Sequence, residues 1–386
     1  MKMNDFSPRL LIVMDGDIHN DPEMTIKYQP FINALGRRFP IAGVRDAGLH
    51  GLQRVLNAAR VWHPDLKKWK ARTVKNIPAF IARSKNAADW VRSMQGRADV
   101  VIQLGVMFDP GAAGIHLPKL IYSDYTARLS AARPDAGRSP LTGDDLQRWF
   151  ELEGKSLRQA AHVCVRSQLV RDSLVDDYGI AHDQVCVIGG GVNMEELPEP
   201  GSGTENEDPV ILFIGLDFYR KGGDLVLRAF ASARAAVPNA RLVVVTRSAL
   251  PPGMPLEGVT LLPPVWEREE FLQLYRQADI FVLPSRLETW GDVLLEAMSY
   301  GLPCIGVTGQ PMAEIIRDGG TGLLVPPEDA AALAEAFGKL LKDRSLRTQM
   351  GLAGRTLVGN EFTWEKVVDR LAPVIVEAAG IKNPSR

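Results

Sequence analysis

Two glutamates separated by seven residues are the strongest candidates for chemistry in this sequence. Glu288 and Glu296 lie in the stretch PSRLETWGDVLLEAMSYGLPC, which covers positions 284–304. The apolar run ADIFVLP before them predicts a strand, and DVLLEAMSYG predicts a helix that Gly301 ends. The N-terminus of a helix attracts anions and contributes up to about 2 kcal/mol to binding a well-placed phosphate. We therefore predict an anion site between the two carboxylates.

The residues at the predicted helix start suit a diphosphate that carries a sugar. Gly291 lets the backbone come close to a ligand, and Asp292 and Val293 have N–H groups outside the helical hydrogen-bond ladder. Glu288 precedes this anion site and Glu296 follows one turn into the helix, so each carboxylate could bind hydroxyl groups of one ligand. A phosphate flanked in this way suggests a sugar–diphosphate–nucleoside. The spacing alone leaves open that both glutamates are solvated surface residues.

A second stretch, FIGLDFYRKGGDLVLRAF (213–230), predicts a strand, a polar loop and a helix. Arg220, Lys221 and Gly222 lie where the loop meets the helix. Cations there supply positive charge, and paired glycines let backbone N–H groups approach a diphosphate. Solvated basic residues before a helix are the alternative. Two candidate phosphate sites at strand carboxyl ends favour a ligand, because ligands bind there in open α/β folds.

Composition and charge exclude several classes of protein. A chain of 386 residues exceeds one usual hydrophobic core, so we expect two domains, and 46% hydrophobic with 24% charged residues is typical of a globular protein. The net charge of −1 argues against a nucleic-acid partner. Three cysteines without metal-ligand spacing indicate buried thiols in the cytoplasm, and we expect no metal or other cofactor. No run approaches the ~18 apolar residues of a membrane span.

Apolar runs that alternate with longer amphipathic stretches predict two parallel α/β sheets. The predicted strands fall within 9–15, 98–105, 118–124, 160–167 and 183–191, and then within 209–215, 240–246, 258–265, 278–284, 303–308 and 322–327. Between the two series, 193–209 is rich in Pro, Gly, Glu and Ser. The predicted organisation is an N-terminal domain (1–193), a linker (194–209), a C-terminal domain (210–361) and a helix in 362–386 that packs back on the N-terminal domain.

The C-terminal motifs resemble those of glycosyltransferase family 4, the retaining group 1 glycosyl transferases of GT-B fold. The similar stretches are PSRLETWGDVLLEAMSYGLPCIGV, which has the E-x7-E spacing of that family, EIIRDGGTGLLVPPED and FTWEKVV. The resemblance runs from about Val210 to Leu371 and is more diffuse in the N-terminal half. It implies two Rossmann-like α/β domains facing each other across a cleft, with the donor on the C-terminal domain and the acceptor mainly on the N-terminal domain.

The resemblance also implies a role for each motif position. Glu288 would bind hydroxyls of the donor sugar and Glu296 those of the ribose, while Lys221 would neutralise the diphosphate. The implied donor-binding residues are Arg220, Lys221, Gly222, Glu288, Thr289, Trp290, Gly291, Asp292, Val293 and Glu296. The implied catalytic residues are Glu288, Lys221 and Asp124, with no metal site.

Three positions depart from the family pattern. Family members usually place an Arg directly after the glycine that ends the first strand of this domain, where this chain has Leu216, and we expect Arg220 to substitute for it. Many relatives carry a His near the reacting carbon, where this chain has Asp124. An ionised Asp accepts a hydrogen bond from a sugar hydroxyl but does not donate one. Trp290 replaces a commoner Phe and is expected to pack under the loop.

The resemblance implies a retaining glycosyltransferase of the hexosyltransferase type. It would move a sugar from a UDP- or GDP-linked donor to a hydroxyl of a saccharide or lipid-linked acceptor, in polysaccharide, glycolipid or glycoconjugate synthesis. The departures at Leu216 and Asp124 leave open a catalytically weakened sugar-nucleotide-binding or scaffolding protein of the same fold.

Basic and aromatic residues mingle in ARVWHPDLKKWKARTVKNIPAF (59–80). Trp62 and Trp69 beside several lysines and arginines suit an anionic membrane interface or an acidic acceptor. A solvated helix with both tryptophans partly packed in the core is the alternative. We expect a cytoplasmic protein, with peripheral contact to the inner face of the membrane through residues 59–80 as one option.

Overall fold

The computed structural model describes residues 7–114, 116–132, 139–194, 196–199, 208–264 and 267–380. The chain divides into two compact units. The first unit comprises Met1–Gly189 and Trp364–Arg386, and the second unit comprises Gly190–Thr363. Most of the predicted linker, at 195 and 200–207, lies outside the described residues. The chain thus enters the second unit at Gly190 and returns to the first unit at Trp364.

The first unit is built on a six-stranded parallel sheet. Its strands are β1 (Leu10–Met14), β2 (Ile41–Asp46), β3 (Val100–Leu104), β4 (Lys119–Ser123), β5 (His162–Val165) and β6 (Val185–Val187). Their order is β2-β1-β3-β4-β5-β6, and every neighbouring pair is parallel. All residues of β1 and β3 are buried, which explains why these strands appear in the sequence as continuous apolar runs.

One strand of this sheet, β2, is missing from the strands predicted from sequence. Its sequence IAGVRD contains a glycine, an arginine and an aspartate, and most of its residues are only half-buried. β2 lies at the edge of the sheet beside β1. A strand that is only partly covered does not need the continuous apolar run that identifies central parallel strands.

Helices connect the strands of the first unit. They are α1 (Pro22–Arg38), α2 (Gly51–Arg60), α3 (Leu66–Val74), α4 (Ile77–Ser93), α5 (Ala127–Ala131), α6 (Gly143–Arg158) and α7 (Gln168–Tyr178). The helix α7 ends at Gly179, where the backbone adopts φ 64°, the left-handed conformation that glycine tolerates at a helix stop.

The second unit contains another six-stranded parallel sheet. Its strands are β7 (Val210–Ile214), β8 (Arg241–Val245), β9 (Val259–Leu262), β10 (Ile280–Val282), β11 (Cys304–Val307) and β12 (Gly322–Val325). All six lie within predicted runs. Their order is β12-β11-β10-β7-β8-β9, so the chain builds outward from β7 on one side and then from β10 on the other. The switch point of the sheet lies between β7 and β10, where open α/β folds bind ligands.

Among the residues that the structure describes, six helices follow the strands of the second unit. They are α8 (Gly223–Arg234), α9 (Arg268–Arg276), α10 (Asp292–Ser299), α11 (Met312–Ile315), α12 (Ala330–Lys342) and α13 (Arg344–Glu361). The helix α10 is held by Leu294, Leu295 and Met298, which are fully buried in the core. Burying an apolar side chain of this size contributes about 1.5–3 kcal/mol, so the core fixes α10 firmly against the sheet.

The last helix, α14 (Trp364–Ala378), belongs to the first unit. Its Trp364 ring lies 5.0 Å from that of Phe31 and 6.4 Å from that of Tyr122, measured between centroids. Arg370 Nε donates a hydrogen bond to the carbonyl oxygen of Ile188 at 2.7 Å. The helix α14 is thereby part of the core of the first unit. None of the described helices is long and apolar enough to cross a membrane.

Candidate active site

The loops that follow β7 and β10 meet at the switch point of the second sheet. Gly222 has φ +78°, and a Cβ atom there would lie 2.2 Å from the carbonyl oxygen of Pro284. Only glycine fits this close approach. The backbone N–H of Arg286 donates to the carbonyl oxygen of Arg220 at 2.9 Å. The two predicted phosphate-binding stretches are therefore in direct contact.

An ion pair joins these two loops through their predicted functional residues. Lys221 Nζ contacts Glu288 Oε2, and the two side chains are only 15% and 6% exposed. Glu288 also accepts hydrogen bonds from the Ser285 hydroxyl at 3.3 Å and from the Thr289 N–H at 3.1 Å. The structure thus brings together a lysine and a glutamate that the sequence placed in separate motifs.

The surroundings of Glu288 keep its carboxyl group ionised. Burial opposes ionisation, but the charges of Lys221 and Arg220 and the hydrogen bonds from Lys221 and Thr289 outweigh it, so the pKa of Glu288 lies below its usual value. An ionised carboxylate accepts hydrogen bonds and has no proton to give. Glu288 is therefore suited to binding hydroxyl groups and unsuited to acting as a general acid.

The residues predicted to bind an anion lie at the start of α10. Gly291 is the N-cap residue with φ +109°, and among the described residues no side chain caps this helix. Asp292 and Val293 form its first turn. Trp290 lies beneath the loop, 3% exposed, with its ring edge-on to Phe362 at 5.9 Å. The expected packing of Trp290 is found.

Glu296 lies one turn into α10, as the sequence indicates, but it has partners that the sequence did not reveal. Its Oε1 accepts from both terminal guanidinium nitrogens of Arg268 at 3.2 Å, and its Oε2 accepts from the Tyr275 hydroxyl at 2.9 Å. Burial raises the pKa of Glu296 although Arg268 and Tyr275 oppose the shift. Arg268 begins α9, which follows β9, so it reaches the same edge of the sheet from another loop. That position after a strand is the only sequence signal for Arg268.

Arg220 is the proposed substitute for the Arg missing at Leu216, and it contacts residues of both loops. Its guanidinium donates to the carbonyl oxygen of Leu287 at 3.0 Å and lies 3.4 Å from Asp217. The same guanidinium is close enough to lower the pKa of Glu288. Arg220 therefore adds positive charge beside the Lys221–Glu288 pair and supports the loop that carries Glu288.

Arg286 is a positioning residue that sequence reasoning missed. Its guanidinium binds both carboxylate oxygens of Asp224, at 2.6 and 3.0 Å, and an oxygen of Glu328 at 2.8 Å. It also lies over the ring of Tyr219, 4.0 Å from the centroid. These partners follow β7 and β12, whereas Arg286 itself follows β10. One side chain thus fastens three loops at the carboxyl edge of the sheet.

Asp124 belongs to the first unit and lies after β4. Its carboxylate is 3.5 Å from Lys27 Nζ, and both side chains are about one-third exposed. Two residues further on, Thr126 caps α5, and the N–H of Ala127 donates to both oxygens of Glu153 at 3.1 and 3.2 Å. Glu153, which the sequence did not single out, therefore anchors the segment that carries Asp124.

The pKa of Glu153 is shifted from its ordinary value. The residue is 1% exposed, and the Tyr178 hydroxyl donates a hydrogen bond to it. Burial raises the pKa of Glu153 to about 7, although the hydrogen bond from Tyr178 and the charge of Lys75 favour ionisation. The carboxyl group therefore titrates near neutral pH.

No metal centre is evident in the part of the chain that the structure describes. Within it, no group of three or more His, Cys, Asp or Glu side chains could hold a metal ion. The Asp15 carboxylate, which follows β1, pairs with Arg83 at 2.9 Å.

Comparison with known proteins relates part of the second half of the chain to a family. Residues 195–357 match the family model of the glycosyl transferases group 1. This stretch is similar to the members of that family. The matched region contains Lys221, Glu288, Gly291 and Glu296, and the predicted resemblance is confirmed.

Curated relatives of the chain are glycosyltransferases by name. A D-inositol 3-phosphate glycosyltransferase from Corynebacterium diphtheriae is 29% identical over 286 residues, which are 66% of this chain and 65% of the relative. The enzyme of the same name from Nocardia farcinica is 30% identical over 222 residues, 51% of this chain and 48% of the relative. The chain thus spans about half to two-thirds of the length of the curated relatives that it matches.

Solved structures share the fold over nearly the whole chain. The crystal structure of Anabaena Alr3699/HepE in complex with UDP and glucose superposes with a TM-score of 0.61 at 15% identity, covering 96% of this chain and 99% of that one. That protein and the other solved glycosyltransferases that match have the GT-B fold. The predicted α/β GT-B fold class is therefore confirmed.

Replacing Arg286 by Ala should destabilise the second unit by about 3 kcal/mol, because Asp224 is left buried without its main partner. Arg228→Ala is the matched control, since Arg228 pairs with the same carboxylate from a side chain that is 52% exposed. That change should cost less than about 1 kcal/mol. Urea unfolding of both variants checks the difference, and equal losses would contradict the positioning role of Arg286.

Replacing Glu153 by Gln should change how stability depends on pH. Because the folded pKa of about 7 exceeds the ordinary value of 4.5, the native state binds the extra proton between these pH values. The free energy of unfolding of the wild type should therefore fall as pH rises from about 4.5 to 7 and then level off. Glu153→Gln should remove this decline, whereas Glu151→Gln on the same helix should keep it. A decline that persists in Glu153→Gln would refute the assignment.

Proposed function

We propose that this protein is a retaining glycosyltransferase that moves a hexose from a nucleoside-diphosphate sugar to an acceptor hydroxyl. The observation that carries the proposal is the Lys221–Glu288 pair beside the start of α10, at the switch point of the second sheet. A cation, a helix N-terminus and an ionised carboxylate together match the three parts of such a donor, which are phosphate charge, diphosphate oxygens and sugar hydroxyls.

In this proposal the donor binds across the two loops. The diphosphate accepts hydrogen bonds from backbone N–H groups at Gly291–Val293 and from Lys221, whose ammonium group bridges a phosphate oxygen and Glu288. The sugar hydroxyls donate to Glu288. The ribose hydroxyls bind Glu296, whose carboxylate Arg268 and Tyr275 hold in a fixed orientation.

Transfer breaks the bond between the anomeric carbon and the phosphate oxygen and forms a bond from the same carbon to the acceptor oxygen. Negative charge grows on the departing diphosphate, where Lys221 and the helix N-terminus are already oriented. Preorganised groups of this kind usually supply the largest catalytic effect. The departing phosphate takes the acceptor's proton on the same face of the sugar, which gives retention of configuration without a protein base.

The low pKa of Glu288 supports this division of roles. A glycosidase needs one carboxyl group that is protonated near neutral pH and a second one across the same bond. Glu288 is held ionised by Lys221 and Arg220. Its proposed role is therefore to bind the sugar. We propose that Asp124, on the first unit, accepts a hydrogen bond from the donor sugar near the reacting carbon.

The donor and the acceptor are proposed as chemical classes. We propose a UDP- or GDP-linked hexose, in keeping with the UDP and glucose bound by the Anabaena protein. The acceptor is a saccharide or lipid-linked hydroxyl compound, in polysaccharide, glycolipid or glycoconjugate synthesis. The relatives named D-inositol 3-phosphate glycosyltransferase favour a polyhydroxylated acceptor.

A second candidate is a sugar-nucleotide-binding protein of the same fold with weakened catalysis. Leu216 and Asp124 favour it, because they replace a cation and an imidazole that relatives commonly carry at these positions. The rate of sugar-nucleotide hydrolysis in the absence of an acceptor distinguishes the two, since a transferase cleaves its donor measurably and a protein with weakened catalysis leaves it essentially intact.

Lys221→Ala should lower kcat/KM for donor cleavage by about 10²–10³, by analogy with the loss of one oxyanion-hole donor. A thermal-shift screen of UDP, GDP, ADP and their sugars first identifies the donor, because a ligand that binds only the folded state raises the melting temperature. Lys339→Ala, an exposed lysine on α12, is the control and should retain wild-type activity. Wild-type turnover in Lys221→Ala would contradict the proposal.

A further inference from the structure

The helix α2 exposes its apolar face and buries a polar residue. Leu52, Val55 and Leu56, spaced as i, i+3 and i+4 on one face, are 72%, 63% and 58% exposed. Asn57 on the opposite side is only 8% exposed. A surface helix of a globular protein ordinarily has the reverse arrangement, with its apolar stripe toward the core. The fold of the first unit alone therefore does not explain why this apolar stripe is exposed.

Hydrogen bonds fix α2 against α3 in this orientation. The Asn57 side-chain amide donates to the carbonyl oxygen of Thr73 at 2.9 Å, and Asn76 donates to the Asn57 side-chain oxygen at 3.0 Å. The Trp69 indole N–H donates to the carbonyl oxygen of Ala58 at 2.8 Å. Because the inward side is polar and satisfied, turning the apolar stripe inward would break these hydrogen bonds.

Further large apolar side chains are exposed in α3 and beside it. Trp62, just after α2, is 66% exposed, and Leu66 and Val74 at the ends of α3 are 57% and 56% exposed. Trp69 is only half-buried. Large apolar side chains that are exposed on neighbouring helices indicate an interaction site.

Positive charge surrounds these apolar residues. Positions 51–75, which we call the α2–α3 surface, contain seven basic residues and one acidic residue, Asp65, in a chain whose net charge is −1. The basic residues are Arg54, Arg60, Lys67, Lys68, Lys70, Arg72 and Lys75, and all except the half-buried Lys75 are exposed. Long basic side chains beside Leu, Val and Trp suit an interface where apolar chains meet anionic head groups.

We propose that the α2–α3 surface docks on an anionic phospholipid bilayer. The apolar stripe of α2 and Trp62 would insert at the level of the head groups while the basic side chains contact lipid phosphates. A second copy of this chain is a poorer partner, because two such surfaces repel each other. A nucleic acid would leave the apolar stripe without a role. The cytoplasmic leaflet carries the negative surface potential that this surface matches.

Sedimentation of the full chain with phospholipid vesicles tests the proposal. Binding is expected to vesicles that contain phosphatidylglycerol, with much weaker binding to phosphatidylcholine alone and a loss of affinity as salt is added. Replacing Lys67, Lys68 and Lys70 together by Gln should lower the partition coefficient by about a hundredfold, since each basic residue near an anionic surface contributes roughly fivefold.

A second variant tests the apolar stripe. Replacing Leu52, Val55 and Leu56 together by Ser should lower vesicle binding at least about tenfold, because buried apolar area contributes to interfacial binding. Leu352→Ser, at an apolar position of α13 that is 49% exposed, is the matched control and should bind like the wild type.

Three outcomes would overturn the proposal. They are absence of binding to phosphatidylglycerol vesicles at low salt, wild-type binding by either triple variant, and a wild-type dimer in light scattering that the serine variant abolishes. The last outcome would assign the surface to a second copy of the chain. Both triple variants alter exposed side chains and are expected to keep the wild-type melting temperature.

Discussion

Lys221 and Glu288 reach each other from loops that are 67 residues apart in sequence, and they meet at the switch point between β7 and β10. Their ion pair is largely buried, so each charge depends on the other, and removing one leaves the other without compensation. The close approach of Gly222 to Pro284 and the contacts of Arg286 hold the two loops together around this pair. The candidate site thus depends on one lysine–glutamate contact within a rigid frame.

This arrangement supports the chemistry that we propose for the protein. A diphosphate requires positive charge and N–H donors, which Lys221 and the start of α10 supply, whereas sugar hydroxyls require an acceptor that stays ionised. The same cation that would meet the phosphate also lowers the pKa of Glu288. In the proposed function the two roles are coupled, since the charge that would stabilise the leaving group also keeps the proposed sugar-binding carboxylate free of a proton.

The sequence alone points to residues that lie in short local patterns. The strands buried on both faces appear as continuous apolar runs, and Lys221, Gly222, Glu288 and Gly291 lie in short motifs at strand ends. Sequence reasoning missed β2, which is only half-buried, and it missed side chains whose partners are distant in sequence. Arg286 binds Asp224 across 62 residues, Arg268 binds Glu296 across 28 and Glu153 binds Ala127 across 26. The outward face of α2 was also hidden, because an apolar stripe in a sequence ordinarily predicts the side toward the core.

The central claim is that a diphosphate lies between the Lys221 loop and the N-terminus of α10. A crystal structure of the protein with its sugar nucleotide tests this claim most directly. Our account predicts phosphate oxygens within hydrogen-bond distance of Lys221 Nζ and of the backbone N–H groups at Gly291–Val293, with the sugar hydroxyls on Glu288. A diphosphate bound elsewhere, with the Lys221–Glu288 pair and the start of α10 untouched, would contradict it.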